Sequence, residues 1–161
     1  MMVSFFNDFD MATTAPWVPA VQYLGTRGFF ADYDARPDDP LSDAVAEVWA
    51  RACGELLAGP PGGADADRAA MATARAVHRA SAAERLSEHG DGDQGAAPID
   101  RARFVTLLTA AARYRDLDLA ESQLATAGST SRDTGGDDSG PLMRGEACRM
   151  VFAALDRSGT S

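Results

Sequence analysis

Apolar residues in the first third of the chain recur at helical steps. Val45, Val48, Trp49, Ala52 and Leu56 lie three or four residues apart and share one face of a helix. The start of that helix is signalled by Pro40-Leu41-Ser42-Asp43. Ser42 is placed as the N-cap, Leu41 and Ala46 as a hydrophobic staple, and Asp43 as a first-turn acid favourable to the helix dipole. Gly59, Pro60 and Pro61 stop it. A shorter helix comes before, with Trp17, Val21 and Leu24 on one side, Pro16 and Pro19 in its first turn and Gly28 as its C-cap. The loop over residues 29–39 joins the two, so the pattern is helix, loop, helix.

That punctuation returns. Pro98-Ile99-Asp100-Arg101 and Pro141-Leu142-Met143-Arg144 repeat the start at Pro40, and a returning motif of this kind marks a repeated supersecondary unit. Counted from the cap positions Ser42, Asp100 and Met143, the fourth residue is Ala46, Phe104 or Ala147, and the seventh is Trp49, Leu107 or Met150. The eighth is Ala50, Leu108 or Val151, and the eleventh is Cys53, Ala111 or Ala154. These offsets form one stripe in each copy and predict three equivalent helices around a common axis, closest where Cys53, Ala111 and Ala154 sit.

Each such helix needs a partner before it. An alanine-rich helix is predicted from Asp67 to Glu88, with Met71, Ala74, Val77, His78 and Leu86 inward and Arg68, Arg75, Arg79 and Arg85 outward. A second is predicted from Asp118 to Ala127, with Leu119 and Leu124 inward. Loops rich in Gly, Asp and Ser cover 90–97 and 128–140, the latter flexible. No segment alternates as a strand does; only a short bridge near Phe29-Phe30 is expected. The expectation is therefore an all-α single domain over 1–161, with repeats at 5–58, 65–115 and 117–156.

A net charge of −9 without a concentrated basic face argues against nucleic acid. No apolar run approaches the roughly 20 residues of a membrane span. The N-terminal stretch lacks the marks of a secretory signal, so the expected location is the cytoplasm, or the cell surface if the chain is a fragment or mature form of something longer. Cys53 and Cys148 make neither a disulfide framework nor a zinc site; two buried thiols or one disulfide between distant helices remain open. Asp32, Asp34, Asp38 and Asp39 cluster, but a calcium hand counted from Asp32 would need Gly and Glu where Pro37 and Asp43 stand. His78 and His89 have no ligand at metal spacing. Neither a nucleophile elbow, a phosphate loop nor a dinucleotide fingerprint occurs, so no metal, cofactor or catalytic role is expected.

Phe6-x-Asp8, Trp17-x-x-Ala20-Val21-x-Tyr23-Leu24, Arg27-Gly28, Asp32-Tyr33 and Arg36-Pro37-Asp38-x-Pro40-Leu41 together resemble the S-layer homology module. That family's second helix opens Thr-Arg-Ala-Glu, and Met143-Arg144-Gly145-Glu146 keeps its Arg and Glu. The first copy departs, with Ser42-Asp43-Ala44-Val45, and the second keeps Arg101 but has Asp100 and Arg103 around it. The resemblance implies a pseudo-threefold helical bundle of three tandem modules, binding bacterial cell-wall polysaccharide in the grooves between its lobes. It casts Arg101, Arg144, Glu146 and Arg36 as the glycan site, with Trp17 and Tyr33 to stack on sugar rings. The other reading makes these arginines ordinary first-turn residues bonded to a neighbouring loop, and Trp17 part of the core. The chain is then a degenerate module that binds protein: a self-association unit, or a domain appended to a larger bacterial protein such as a flavin-dependent oxidoreductase.

Overall fold

The computed structural model describes residues 15–30, 35–57, 62–87, 97–113 and 140–158. Tyr33, the N-terminal Phe5 and Phe6, the helix expected at 118–127 and nearly all of both glycine-rich loops lie outside them. Among the described residues the chain is all-α, with five helices and no strand: α1 Val18–Gly25, α2 Asp43–Leu57, α3 Ala64–Ser87, α4 Arg101–Arg113 and α5 Arg144–Ser158.

The helix starts follow the sequence signals closely. Ser42 caps α2, its Oγ accepting the Val45 N–H at 3.2 Å, and Asp100 caps α4, its Oδ1 accepting the Arg103 N–H at 2.7 Å. Met143 has no side-chain oxygen to offer, and the exposed backbone donors of α5 are satisfied differently. The Arg144 N–H donates to Asp39 O and the Gly145 N–H to Pro37 O, both at 2.9 Å. A loop between the first two helices thus caps the last.

Among the described residues no bridge forms at Phe29-Phe30, where one was expected. Isolated antiparallel bridges instead join Pro40 with Met143, Ser42 with Pro98, and Asp100 with Pro141. Between them the Leu41 N–H donates to Leu142 O, the Ile99 N–H to Leu41 O and the Leu142 N–H to Ile99 O, at 2.8 to 2.9 Å. Each middle residue gives one hydrogen bond and takes one, so the three close a ring. Their side chains are buried. Phe29 and Phe30 are used otherwise: Phe29 O accepts the buried Trp49 indole N–H at 2.8 Å, and both rings lie against Trp49.

Helix α2 is the hub, packing on α3, α4 and α5, while α1 packs on α5. In α2 the expected positions Ala46, Trp49, Ala50 and Cys53 are buried together with Val45 and Ala52, Leu57 joins them, and Val48 and Leu56 are only partly covered. In α4 it is rolled. Phe104 and Leu108 are buried as expected, but Val105, Thr109 and Ala112 join them, while Leu107 and Ala111 are half-buried at the border with α2. Gly54 permits this: a Cβ there would stand 3.1 Å from Ala111 O, so the backbones of α2 and α4 meet without a side chain between them.

Helix α3 corrects another expectation. Val77 is buried as predicted, and Arg68, Arg75 and Arg79 are exposed, but Met71 is 57% exposed and His78 points to solvent. Ala74 lies on the inner face as predicted, and Ala70, Thr73, Ala80 and the buried Ser81 complete it in place of Met71 and His78. A helix so rich in alanine has no bulky stripe to set its roll, and close approach to its neighbours decides it.

Gly28 lies in that approach. Its N–H donates to Gly25 O and the following Phe29 N–H to Leu24 O, the paired bonds of a Schellman motif with Gly28 at φ +80°. A Cβ on Gly28 would fall 2.0 Å from Ala70 O on α3. Gly63 has a positive φ, +56°, with nothing within 4 Å, and Gly62 has open space alone. Urea denaturation of the three alanine variants should therefore rank them. Gly62→Ala is expected to be near neutral, Gly63→Ala to cost about 1 kcal/mol from backbone conformation, and Gly28→Ala to cost more than about 2 kcal/mol because the backbone of α3 must also move.

Candidate functional site

Because α2, α4 and α5 each begin directly after a segment of the ring, their N-termini gather there. Arginines in first turns oppose the positive end of a helix dipole and need local compensation. Arg103 finds it in Asp43 at the start of α2, donating from Nε and Nη2 at 2.6 and 3.1 Å. This fork, reinforced by the nearby charge, raises the Arg103 pKa above its ordinary value. Arg101 lies 3.6 Å from the Glu146 carboxylate at the start of α5. Both pairs have the same form, the first residue of one helix with the third of the next.

At the third position of α2, where the same pattern would set an acid for Arg144, stands Val45. Arg144 is 4% exposed, and its Nε donates to Ala35 O at 3.1 Å. Its guanidinium carbon lies 5.2 Å from the Trp49 ring centroid and 5.8 Å from that of Phe30. An aromatic face and a carbonyl replace the carboxylate, and burial strengthens such a contact.

The other nominated residues cluster beside it. Trp17 is half-buried against the start of α5, where a Cβ on Gly145 would sit 3.1 Å from its ring and from Pro37 Cβ. Arg36 is half-buried with φ +49° and opens the turn in which its carbonyl accepts the Asp39 N–H. Trp17, Arg36, Arg144 and Glu146 thus surround one helix start, and Arg101 reaches it through Glu146. Tyr33 lies outside the described residues.

The sequence did not point to the Asp43–Arg103 pair, the Phe30–Trp49 rings around Arg144, or the stacking of Arg27 on Tyr23 at 3.5 Å. Only the last is at helical spacing and so open to reading from sequence. A groove between α2 and α4 was also missed. It encloses about 420 Å³ and is lined by Glu47, Ala50, Arg51, Gly54, Glu55, Leu107 and Ala111, with no aromatic ring among them.

Cys53 and Cys148 are both buried thiols. Burial pushes each from 9.0 up to about 12, against a small opposing pull of Arg144 on Cys148. Thiolate, the reactive form, is therefore scarce at neutral pH. Among the described residues no three His, Cys, Asp or Glu side chains come together as metal ligands. No helix among them is long and apolar enough to cross a membrane. No protein-family model, curated protein or solved structure matches the chain.

Two measurements check this geometry. Arg144→Ala should lower stability by about 2–4 kcal/mol in chemical denaturation, because a buried carbonyl and two ring faces lose their partner, whereas Arg103→Ala at the exposed pair should leave the midpoint almost unmoved. A chromogenic disulfide reagent at pH 8 should leave both thiols unmodified in the native protein and titrate both after unfolding. The thiols also set an alkaline limit, since the unfolded chain ionises them first: their contribution to stability is intact below pH 9 and is lost as pH rises toward about 12.

Proposed function

We propose that the chain is a non-catalytic module of S-layer homology type, built from three copies of one helix-led unit, and that it works as a protein-interaction domain. Support for three copies comes from the ring, in which Leu41, Ile99 and Leu142 play interchangeable parts. The charge pairs follow the same cycle: first residue to third residue from α2 to α4 and from α4 to α5, with Val45 standing where the third acid would be.

The burial of Arg144 carries the choice of partner. Of the arginines that the resemblance assigns to glycan, the one with the best-kept motif around it is 4% exposed and turned toward Ala35 O and two aromatic rings. Arg101 is engaged with Glu146. Sugar recognition relies on accessible charged forks and aromatic platforms, whereas Arg101 and Arg144 are engaged between helices and loop.

Co-sedimentation with purified bacterial wall polysaccharide tests the reading. The wild-type protein and Arg101→Ala should both stay in the supernatant. Saturable retention of the wild type would overturn the proposal, and its loss in Arg101→Ala would assign the contact to that arginine.

A further inference from the structure

We infer that the outer face of α3 docks an acidic helical segment of another protein; this rests on the protein-interaction reading and names the chemistry of its partner. The inner side of α3 is fixed by the buried Val77 and Ser81 and by Ala70 against Gly28. At 3.6 residues per turn, Arg68, Arg75 and Arg79 then stand in a row on the side opposite Val77, and all three are exposed. Met71 lies one turn from both Arg68 and Arg75 and is 57% exposed, the one exposed large hydrophobic among the described residues. Ala69 and Ala72 beside it are exposed and small, so a second helix can come close to its thioether.

Acids outnumber bases by 24 to 15 in this chain, yet no Asp or Glu stands between Arg68 and Ala82. Arg68 is paired with Asp65 at 3.1 Å, and both side chains remain largely in solvent. Among the described residues no carboxylate lies beside Arg75 or Arg79, although like charges four residues apart oppose helix formation. A guanidinium fork matches a carboxylate bidentately, and the row offers such forks at intervals of seven and four residues, roughly 10 and 6 Å along the axis. A partner helix with glutamates at the same intervals and an apolar residue facing Met71 fits it, and Met and Arg are enriched at such interfaces. Three guanidinia on a molecule of charge −9 fall short of the roughly six to ten phosphate contacts of a duplex-binding surface. A membrane fits less well, because the apolar side of α3 faces the core and Met71 alone has little to insert.

Fluorescence anisotropy of the full chain with a labelled synthetic helical peptide, carrying glutamates at these intervals and one leucine between them, provides the test. Binding should saturate and weaken with salt, and the same peptide with glutamine for each glutamate should bind at least about tenfold more weakly. Arg75→Glu and Arg79→Glu should each weaken binding about tenfold or more, and Met71→Ala about threefold or more. Arg51→Glu on α2, the same charge change elsewhere, should stay within about twofold of the wild type. Arg75→Glu sets an acid four residues before Arg79, so its urea midpoint should hold or rise while its binding falls, which separates lost recognition from lost structure. Absence of saturable binding, equal binding of the glutamine peptide, or equal damage from Arg51→Glu would overturn the proposal, as would tighter binding of a short DNA duplex or of a second copy of the protein itself. The polysaccharide assay separates the two proposals: a protein that binds neither peptide nor wall glycan loses this face alone, whereas one that binds the glycan loses the protein-interaction reading as well.

Discussion

The amides of Leu41, Ile99 and Leu142 are covered by the helices that start beside them, and a covered amide without an acceptor costs stability that a domain of this size can ill spare. Their mutual bonding resolves the difficulty in three short stretches of backbone. It also fixes where α2, α4 and α5 begin, since each helix starts immediately after its stretch. The Asp43 N–H donates to Ala97 O and the Arg144 N–H to Asp39 O, so the same neighbours that close the ring also cap helices. Packing then follows from these anchored starts, with α2 holding contacts to three other helices.

Bringing helix N-termini together concentrates positive dipole ends, and the first-turn residues answer this in two ways. Asp43 and Glu146 supply carboxylates to the arginines of α4. At the remaining junction Val45 replaces an acid, and a cation would be stranded there in water-poor surroundings. Arg144 is accommodated by ring faces and a loop carbonyl, which ties residues 35–39 to α5 and draws Trp17 and Pro37 over Gly145. The guanidinium of Arg144 therefore joins two parts of the chain that are distant in sequence.

The helix starts were legible because proline, a capping side chain and an apolar stripe act within a few residues of one another, as at Pro40 and Pro98. The ring was not. Three-residue bridges have no alternation to detect, and their partners are distant in sequence. The burial of Arg144 was not legible for a chemical reason: a guanidinium next to a glutamate in a first turn looks solvent-facing, and only the arrival of Trp49 and Phe30 from elsewhere buries it. Met71 misled because neighbouring alanines leave the roll of α3 undecided, and the bare backbone at Gly28 is what sets it against Ala70. The groove lined by Leu107 and Ala111 has the same origin, a glycine in α2 that lets α4 come near and turn.

The ring also imposes an order on synthesis. Leu41 and Leu142 are roughly a hundred residues apart, so a chain emerging from the ribosome presents an amide at Leu41 whose acceptor has yet to be made. Until that last stretch appears, the earlier helices share an unfinished hub, and loop closure over this distance makes the final docking a slow step for a helical protein. A nascent chain of this kind depends on its own C-terminal helix in the way that an arch depends on its keystone.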